Sequence, residues 1–523
     1  SRVPGAGNIK ESELDGDSRK AAAFAGIISG NGTLIGATVN PAIAYGRAAS
    51  IAKIAPNSLK LEGSSLTVKS EGTANVLSQS LNQDLAAIMA AVMVNLAYSQ
   101  SEFTAQLDLP QGSSAQAGNV TVTADYTANA EAVVAPSAGG AKVSAGSIQV
   151  NLAIANAHSA GTAAISGSGG KLKANAIKVL SQGTALSNAY NITPMIDMTG
   201  VKIVANVLLA NLDASNEAYI QGVDISDASI DLQAQLNNAE NTGATATLGN
   251  SFKGSGSVSL ISAEANVVKA ENNSRNHAYM KDVTVDNGKA ASVLAQGWSY
   301  AKAYAQEEDV SLYGLSVGVN VVNARADGDF RSYVEGRSGG EINVRSISVR
   351  NEYHSLADAL SRQPSLGIGA VRVDTNVAYA NAGTLAHSYI GGSGKVNSTG
   401  NVLVEALGDA QAKAQIEGTA VSMAGLDVAV NVVKAIVSAE HQAYIGDAQN
   451  AARAVSDISL SSEGGSVRIN SRFNQTDEGS GITGADAQVG SNYLDSDNAS
   501  ASINIVGGNV STAEARMQAL ASA

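Results

Sequence analysis

The sequence contains no cysteine in 523 residues. Disulfide bonds, cysteine-ligated zinc and thiol catalysis are therefore excluded. Aromatic residues contribute only 4% of the chain and proline only 7 positions, whereas glycine occupies 53. Because bulky side chains normally fill a globular core, we expect a thin interior built from small and β-branched residues.

The chain also has little positive charge. Its 33 lysine and arginine residues face 46 acidic ones, the net charge is −13, and no basic run occurs. This balance argues against nucleic acid as a partner. No apolar stretch reaches the ~18 residues of a membrane-spanning helix, so we expect no membrane span in this segment. No signal peptide is visible, and because the chain begins at Ser1 rather than Met, we expect that a leader or larger N-terminal region has been removed.

An internal repeat is the main feature that is present. One asparagine recurs at nearly regular intervals, and an aliphatic residue follows each copy at a nearly constant distance. Nine copies define a unit of about 56 residues. The recurring asparagines are Asn40, Asn95, Asn151, Asn206, Asn266, Asn320, Asn376, Asn431 and Asn492, and the aliphatic landmarks run from Ile51 through Ile165, Ile220 and Ile445 to Ile503.

The local pattern is that of β-strands. From Val402 to Ala420, small apolar residues alternate with mostly polar ones, and the same alternation runs from Val120 to Val134. A period of two predicts strands, since a helix requires 3.6. Glycine-rich segments such as Ser166–Gly170 and Gly391–Gly394 predict corners.

Repeated strands with one apolar face become stable by stacking. We therefore predict an all-β fold, a parallel β-solenoid (β-helix) rod of about nine repeats over residues 26–523, preceded by an N-terminal extension or lead-in strand over residues 1–25. The pattern leaves open two rungs of ~28 or three of ~19 residues per repeat, which gives a rod of about 90 to 130 Å. An antiparallel meander of long strands is the alternative, but an apparent change of phase at Val432-Val433 favours corners.

The asparagine has a structural interpretation. Stacked copies would form an amide ladder along the axis or satisfy the backbone at a turn. A glycan or ligand site is the functional alternative, but ninefold repetition favours the scaffold. The phrase Ala-Tyr-Ile before Gly446 and its earlier copies are interpreted as one strand before a turn.

No catalytic or metal-binding motif is present. The five histidines are scattered along the chain, so we predict no metal and no cofactor. Acidic residues gather at Asp224–Asp231 and Tyr493–Asn498, which solvated turns explain better than an ion site. Acids on a strand face also leave open a polysaccharide-acting enzyme, but they form no consistent cluster, and the prediction is a protein that is not an enzyme.

One copy departs from the repeat with a row of aromatic residues. The inward register from Val293 to Ala305 directs Trp298, Tyr300 and Tyr304 outward on one face. Such a row stacks on sugars or anchors a protein, so it is the candidate partner surface. Cover by a neighbouring loop or a long side chain is the alternative.

The units "GNVLVEALGDAQAKAQIEG" and "GLDVAVNVVKAIVSAEHQAYIGD" resemble the repeats of leukotoxin-type filamentous adhesins. The likeness covers residues 26–523 and rests on repeat pattern. It implies a bacterial protein exported by two-partner (type V) secretion, located outside the cell or on its surface, and acting as an adhesion rod. The lack of cysteine also favours secretion. The partner would then be a host-surface protein or glycan.

The C-terminal segment Gly507–Ala523 restarts the "GNVxVxA" phrase and stops within a unit. Since an open solenoid end exposes unpaired strand edges, we expect either further repeats or end-to-end self-association. A self-assembling subunit of an extracellular filament is therefore the alternative to the adhesin stalk.

Overall fold

Small apolar and polar residues alternate along most of the chain, and this period of two is that of extended strands. The computed structural model describes residues 20–61, 63–136, 141–192, 196–238, 242–249, 255–306, 309–362, 365–417, 421–446, 458–474, 484–489, 492–494, 498–506 and 509–521. These residues contain strands and no helix.

Twenty-four strands make up this part of the chain. They are β1 Lys20–Ile54, β2 Ser58–Lys60, β3 Ser65–Leu109, β4 Ser114–Gln116, β5 Asn119–Pro136, β6 Ala141–Lys173, β7 Ala176–Ile192, β8 Ile196–Ser226, β9 Ser229–Leu236, β10 Ala244–Gly249, β11 Ser255–Asp286, β12 Ala290–Gln306, β13 Asp309–Gly336, β14 Glu341–Val344, β15 Ser346–Arg362, β16 Ser365–Gly392, β17 Lys395–Ser398, β18 Val402–Glu417, β19 Val421–Gly446, β20 Ser459–Phe473, β21 Gly484–Val489, β22 Asn492–Leu494, β23 Asn498–Val506 and β24 Asn509–Ala521.

The strands pair in parallel, each with the equivalent strand of the next repeat. Asn151 pairs with Asn206, and Asn206 pairs with Asn266, the corresponding asparagine of the following repeat. The single antiparallel pairing among the described strands joins β21 to β22. The parallel β-solenoid predicted from the sequence is therefore confirmed, and the antiparallel meander is wrong.

One repeat makes one rung, so both rung lengths considered from the sequence are wrong. Nine rungs and the first strand of a tenth follow one another from Lys20 to Ala521. With a step of ~4.8 Å the stack is only about 40 Å tall, not the 90 to 130 Å expected. Alternation alone could not reveal this, because it is unaffected by how far a strand runs before it turns.

Each rung is a flattened loop with two broad layers and one short side. The first layer contains the start of β1, residues 65–82 of β3, then β5, β7, β9 with β10, β12, β15 and β18. The second layer contains the rest of β1, the rest of β3, and β6, β8, β11, β13, β16 and β19. The 18 residues of β5 span about 60 Å at ~3.3 Å each. The stack is therefore a slab that is wider than it is tall.

Small residues let the two broad layers approach closely. Ala128, Ala130 and Ala132 of the first layer are fully buried in the same cluster as Ala153 and Ala155 of the second. The distance is short enough for the Ser187 hydroxyl to donate a hydrogen bond to the Ala155 carbonyl oxygen at 2.8 Å. A thin interior is thus what the composition produces, as the scarcity of bulky residues indicated.

Aromatic side chains of the described residues enter this thin interior beside glycine. One inward column of the first layer alternates glycine with a bulky residue on successive rungs: Gly72, Tyr126, Gly183, Leu236, Gly297, Tyr353, Gly408 and Phe473. Phe103 and Phe330 point in from the second layer opposite Gly72 and Gly297. The aromatic rings therefore come alternately from the two layers, with Phe103 and Tyr126 stacked at 5.5 Å between ring centroids.

The predicted asparagine ladder is present over six rungs. Each side-chain amide donates to the next carbonyl oxygen at 2.7 to 2.9 Å, in the order Asn151, Asn206, Asn266, Asn320, Asn376, Asn431. The other three members were predicted wrongly. Asn40 pairs with Met93 and Asn95 with Ala153, so they lie out of register, and Asn492 pairs antiparallel with Val489.

Two further details of the repeat are also corrected. The aliphatic landmarks are in register from Leu107 to Ile445, but Ile51 pairs with Thr104 and Ile503 with Ala443. No corner occurs at Val432-Val433, because β19 continues through both. Val432 is 48% exposed on the outward side, whereas Val433 packs against the core, so both sides of the strand are apolar here.

Candidate binding surface

The predicted aromatic row begins at Trp298, which lies in a column with His354 and Asp409 on the outer side of the first layer. The three residues occupy the same register on β12, β15 and β18. The rings of Trp298 and His354 stack with centroids 4.2 Å apart and an interplanar angle of 24°. Nδ1 of His354 lies 2.9 Å from Oδ1 of Asp409. Aromatic ring, imidazole and carboxylate therefore form one continuous group, which we call the Trp298 column.

Asp409 shifts the pKa of His354 in this column. Burial lowers the pKa of His354, but the hydrogen bond to Asp409 and its charge outweigh that effect, so the pKa is raised above its usual value. Asp409 therefore favours protonation of the imidazole, and the protonated ring would place a cation against the face of Trp298. A half-buried indole beside a cation offers stacking together with hydrogen bonding.

The other two aromatic residues of the row differ from the expectation. Tyr300 is only 3% exposed, so its predicted exposure is wrong. It lies beside the interruption between β9 and β10. A Cβ on Gly243 would be 2.1 Å from the Tyr300 carbonyl oxygen, so the backbone of the preceding rung packs against the backbone of Tyr300. Tyr304 is half-buried, its hydroxyl donates to Gln306, and Lys302 Nζ lies 5.8 Å from its ring centroid. Only Trp298 and Tyr304 remain accessible.

The histidines do not converge. His158, His277 and His387 each face a single acid on the adjacent rung, at 3.1 to 3.3 Å, and His441 is buried near the rings of Tyr353 and Phe473. Within the described residues, no group of three or more histidine and acidic side chains could hold a metal ion.

The acids of the first predicted cluster are paired across rungs. Asp224 accepts from Arg337 at 2.9 Å and Asp227 from Lys173 at 3.0 Å. Hydrogen bonds from Asn287 and Lys173 lower the pKa of Asp227. These contacts fit ion pairs between turns. Of the second cluster, residues 495–497 lie outside the described residues.

A stack of tyrosines explains the recurring Ala-Tyr-Ile phrase. The rings of Tyr219, Tyr279, Tyr333, Tyr389 and Tyr444 lie parallel, with successive centroids 4.8 to 4.9 Å apart. This distance is the separation of neighbouring strands. The phrase therefore marks an aromatic ladder along the side of the second layer.

No protein-family model, curated protein or solved structure matches the chain. In the part of the chain that the structure describes, no helix is long and apolar enough to cross a membrane.

Sequence analysis found Trp298 but missed His354 and Asp409. A signal was available, because His354 and Asp409 follow Trp298 at successive intervals of one repeat. Knowing that one repeat is one rung makes residues one repeat apart direct neighbours. Without that knowledge they would be assigned to rungs two or three steps apart.

Proposed function

We propose that this chain is a non-catalytic part of an exported bacterial adhesin, in which a stiff stack of rungs displays a binding surface outside the cell. The observation that carries the proposal is the ladder architecture. Backbone pairing, an asparagine ladder and a tyrosine ladder all run along the same axis, so the repeat supports a rigid scaffold. The repeat supplies stiffness and breadth rather than length, since nine rungs at ~4.8 Å each rise only about 40 Å.

The Trp298 column is the surface proposed to bind a host glycan or protein. Indole stacking suits a sugar ring, and the imidazole and Asp409 supply donors and acceptors at its edge. Tyr304 lies six residues along the same outward side of β12, about 20 Å away at ~3.3 Å per residue. A glycan of several sugar units would span both.

Binding to immobilised glycans and to intact host cells tests this proposal. Trp298→Ala should weaken binding about tenfold, the loss of roughly 1.4 kcal/mol expected from one aromatic contact, with unchanged thermal unfolding. Leu294→Ala is the matched control, because Leu294 lies on the same outward side of β12. Equal binding by wild type and Trp298→Ala would contradict the assignment of the column.

Self-assembly into an extracellular filament is the second candidate. Among the described strands, β1 pairs only with β3, so one edge of its 35 residues lies at the end of the stack. Parallel edges of this length are templates for pairing with another chain. Electron microscopy of dilute protein separates the candidates, because fibres far longer than one chain favour the filament and discrete particles favour the adhesin segment.

A polysaccharide-acting enzyme is the lesser alternative. Release of reducing ends from a panel of glycans would support that activity and contradict the non-catalytic proposal. If none of the glycans in the panel reacts, the result agrees with binding alone.

A further inference from the structure

The outward side of the second layer is apolar over seven rungs. One column of this side runs from Ala90 through Ile148, Ile203, Ala263, Val317 and Val373 to Val428. We define the apolar face as this column together with the outward positions two residues before it and two and four residues after it on the same strands. Of these 28 positions, 26 are Ala, Val, Ile or Leu, and the other two are Gly146 and Thr375.

The face is accessible and free of charge. Ile203, Val317 and Val428 are 41%, 38% and 40% exposed, although each is a branched aliphatic residue. No acidic or basic residue occupies any of the 28 positions. Seven strands at ~4.8 Å and seven residues at ~3.3 Å give about 800 Å². The largest apolar patch of a typical monomer is roughly 300–600 Å².

The two broad sides of the same slab differ in character. On the first layer, outward positions such as Glu131, Lys178 and Asp409 are charged. A broad apolar face without charge is therefore a feature of the second layer and is not a general consequence of the small-residue composition, although single apolar residues such as Leu77 are exposed on the first layer as well.

These aliphatic residues cannot turn inward, because the same strands carry polar groups on their inner side. Inward positions between them include the asparagine ladder and the Arg372–Asp374 ion pair, whose side chains are 11% and 13% exposed. A slip by one residue would place the whole apolar set inside but would expel the ladder. The hydrogen bonds of Asn206, Asn266 and Asn320 fix the present register.

We propose that the apolar face binds the same face of a second copy of this chain, giving a two-fold symmetric pair of slabs. Its area of about 800 Å² equals what each partner contributes to a stable interface of standard size. The lack of charge removes any basis for an oppositely charged partner, and with a net charge of −13 the chain is not suited to an anionic membrane.

Spacing also favours a second copy. Sheets pack face to face when their inner side chains interdigitate at ~10 Å. The ridges of this face repeat at the strand separation of ~4.8 Å, and a second copy presents ridges with the same repeat. Complementarity is therefore maintained over all seven rungs. This interface involves the side of the slab, whereas filament growth would use its ends.

Particle mass tests the proposal. Sedimentation equilibrium of the 523-residue chain at micromolar concentration should give twice 52.7 kDa. Val317→Lys places a charge at the centre of the face and should halve the mass. Leu77→Lys is the matched control, since Leu77 is 37% exposed on the opposite broad side, and it should leave the mass unchanged. Circular dichroism must show that all three proteins retain the strand signal.

A second measurement tests the proposal in case the Val317→Lys protein does not fold. The chain has no cysteine, so Val317→Cys and Leu77→Cys each introduce one thiol. Maleimide should label the thiol at 317 more slowly at high protein concentration than at high dilution, whereas the rate at 77 should not depend on concentration.

The proposal is wrong if wild type sediments as a monomer, if folded Val317→Lys keeps the doubled mass, or if labelling at 317 is independent of concentration. Flotation of monomeric wild type with phosphatidylcholine vesicles would also overturn it and would assign the face to lipid. None of these outcomes affects the Trp298 column, which lies on the other layer.

Discussion

The ring of Tyr353 lies directly over Gly408 on the next rung. A Cβ on Gly408 would be 2.1 Å from Cε1 of Tyr353, a distance at which one of the two must move. The alternation of glycine and bulky residues in this column is therefore a packing requirement. It explains how a core built mainly of alanine accommodates a few large rings.

Gly408→Ala should lower the free energy of unfolding by about 3 kcal/mol, because overpacking a tight core costs on that order. The same substitution in a Tyr353→Leu background should cost at least ~1 kcal/mol less, since the clashing ring is absent. Urea unfolding of the four proteins gives the coupling. Gly249→Ala is the control, because a Cβ there meets no atom closer than 3.9 Å. Additive costs would show that the ring is not the obstacle.

Asn266→Ala should lower the free energy of unfolding by roughly 2 to 4 kcal/mol. It removes the acceptor for Asn206 and the donor for Asn320, and each buried unpaired polar group costs about 1–3 kcal/mol. Chemical denaturation measures the loss. The matched control is Asn156→Ala, which breaks an amide pair with Asn211 on the outer side and should cost less than ~1 kcal/mol. Similar losses for both variants would mean that the inner ladder contributes no more to stability than the outer amide pair does.

His441 should make stability depend on pH. Burial lowers its pKa to about 4, against the opposing effect of the backbone groups of Ala406 and Arg472, which raise the pKa. In this range the unfolded chain binds the proton and the folded chain does not. The contribution is therefore complete above the unfolded pKa of ~6.5 and is lost as pH falls toward 4.

The expected loss at His441 is about 2 kcal/mol between pH 7 and pH 5. Urea unfolding of wild type and His441→Leu at both pH values isolates it, because the leucine variant should lose that much less on acidification. His158→Leu serves as the control, since the His158 side chain is 48% exposed. Identical pH dependence in wild type and His441→Leu would show that the histidine is not buried in its neutral form.

Tyr333→Leu should lower the free energy of unfolding by about 1–3 kcal/mol. It removes two ring contacts, with Tyr279 and Tyr389, and each aromatic pair contributes roughly 0.5–1.5 kcal/mol. Thermal unfolding measures the effect. Tyr379→Leu is the control, because Tyr379 lies on the outward side of β16, as Tyr333 does on β13, and its ring faces Lys434 at 5.8 Å. An equal loss in both variants would argue against stacking as the cause.

Sequence analysis predicted the backbone better than the surfaces. Alternation from Val402 to Glu417 correctly placed the inward side of β18, whereas residues 418–420 lie outside the described residues, and the repeat correctly aligned Asn151 with Asn206. The same reasoning failed at Val432-Val433, where it assumed that apolar residues point inward. Both sides of β19 are apolar there, so alternation carries no information about which side is the inner one.

The candidate surface was predicted only in part for a related reason. Alternation gave the side of β12 on which Trp298, Tyr300 and Tyr304 lie, but not what covers that side. Tyr300 is buried beside an interruption in the preceding rung, and Trp298 acquires His354 as a neighbour from the following one. Both effects come from residues about one repeat away.

The sequence by itself determined that this protein is a stack of equivalent β units, because strand periodicity and a regular internal repeat are properties of residue order. Only the tertiary structure decided that each repeat closes in a single turn, which residues become neighbours across rungs, and that one broad side carries apolar groups outward. Those features depend on where the chain turns and on which side of a strand meets the opposite layer, and a period of two is the same for either choice.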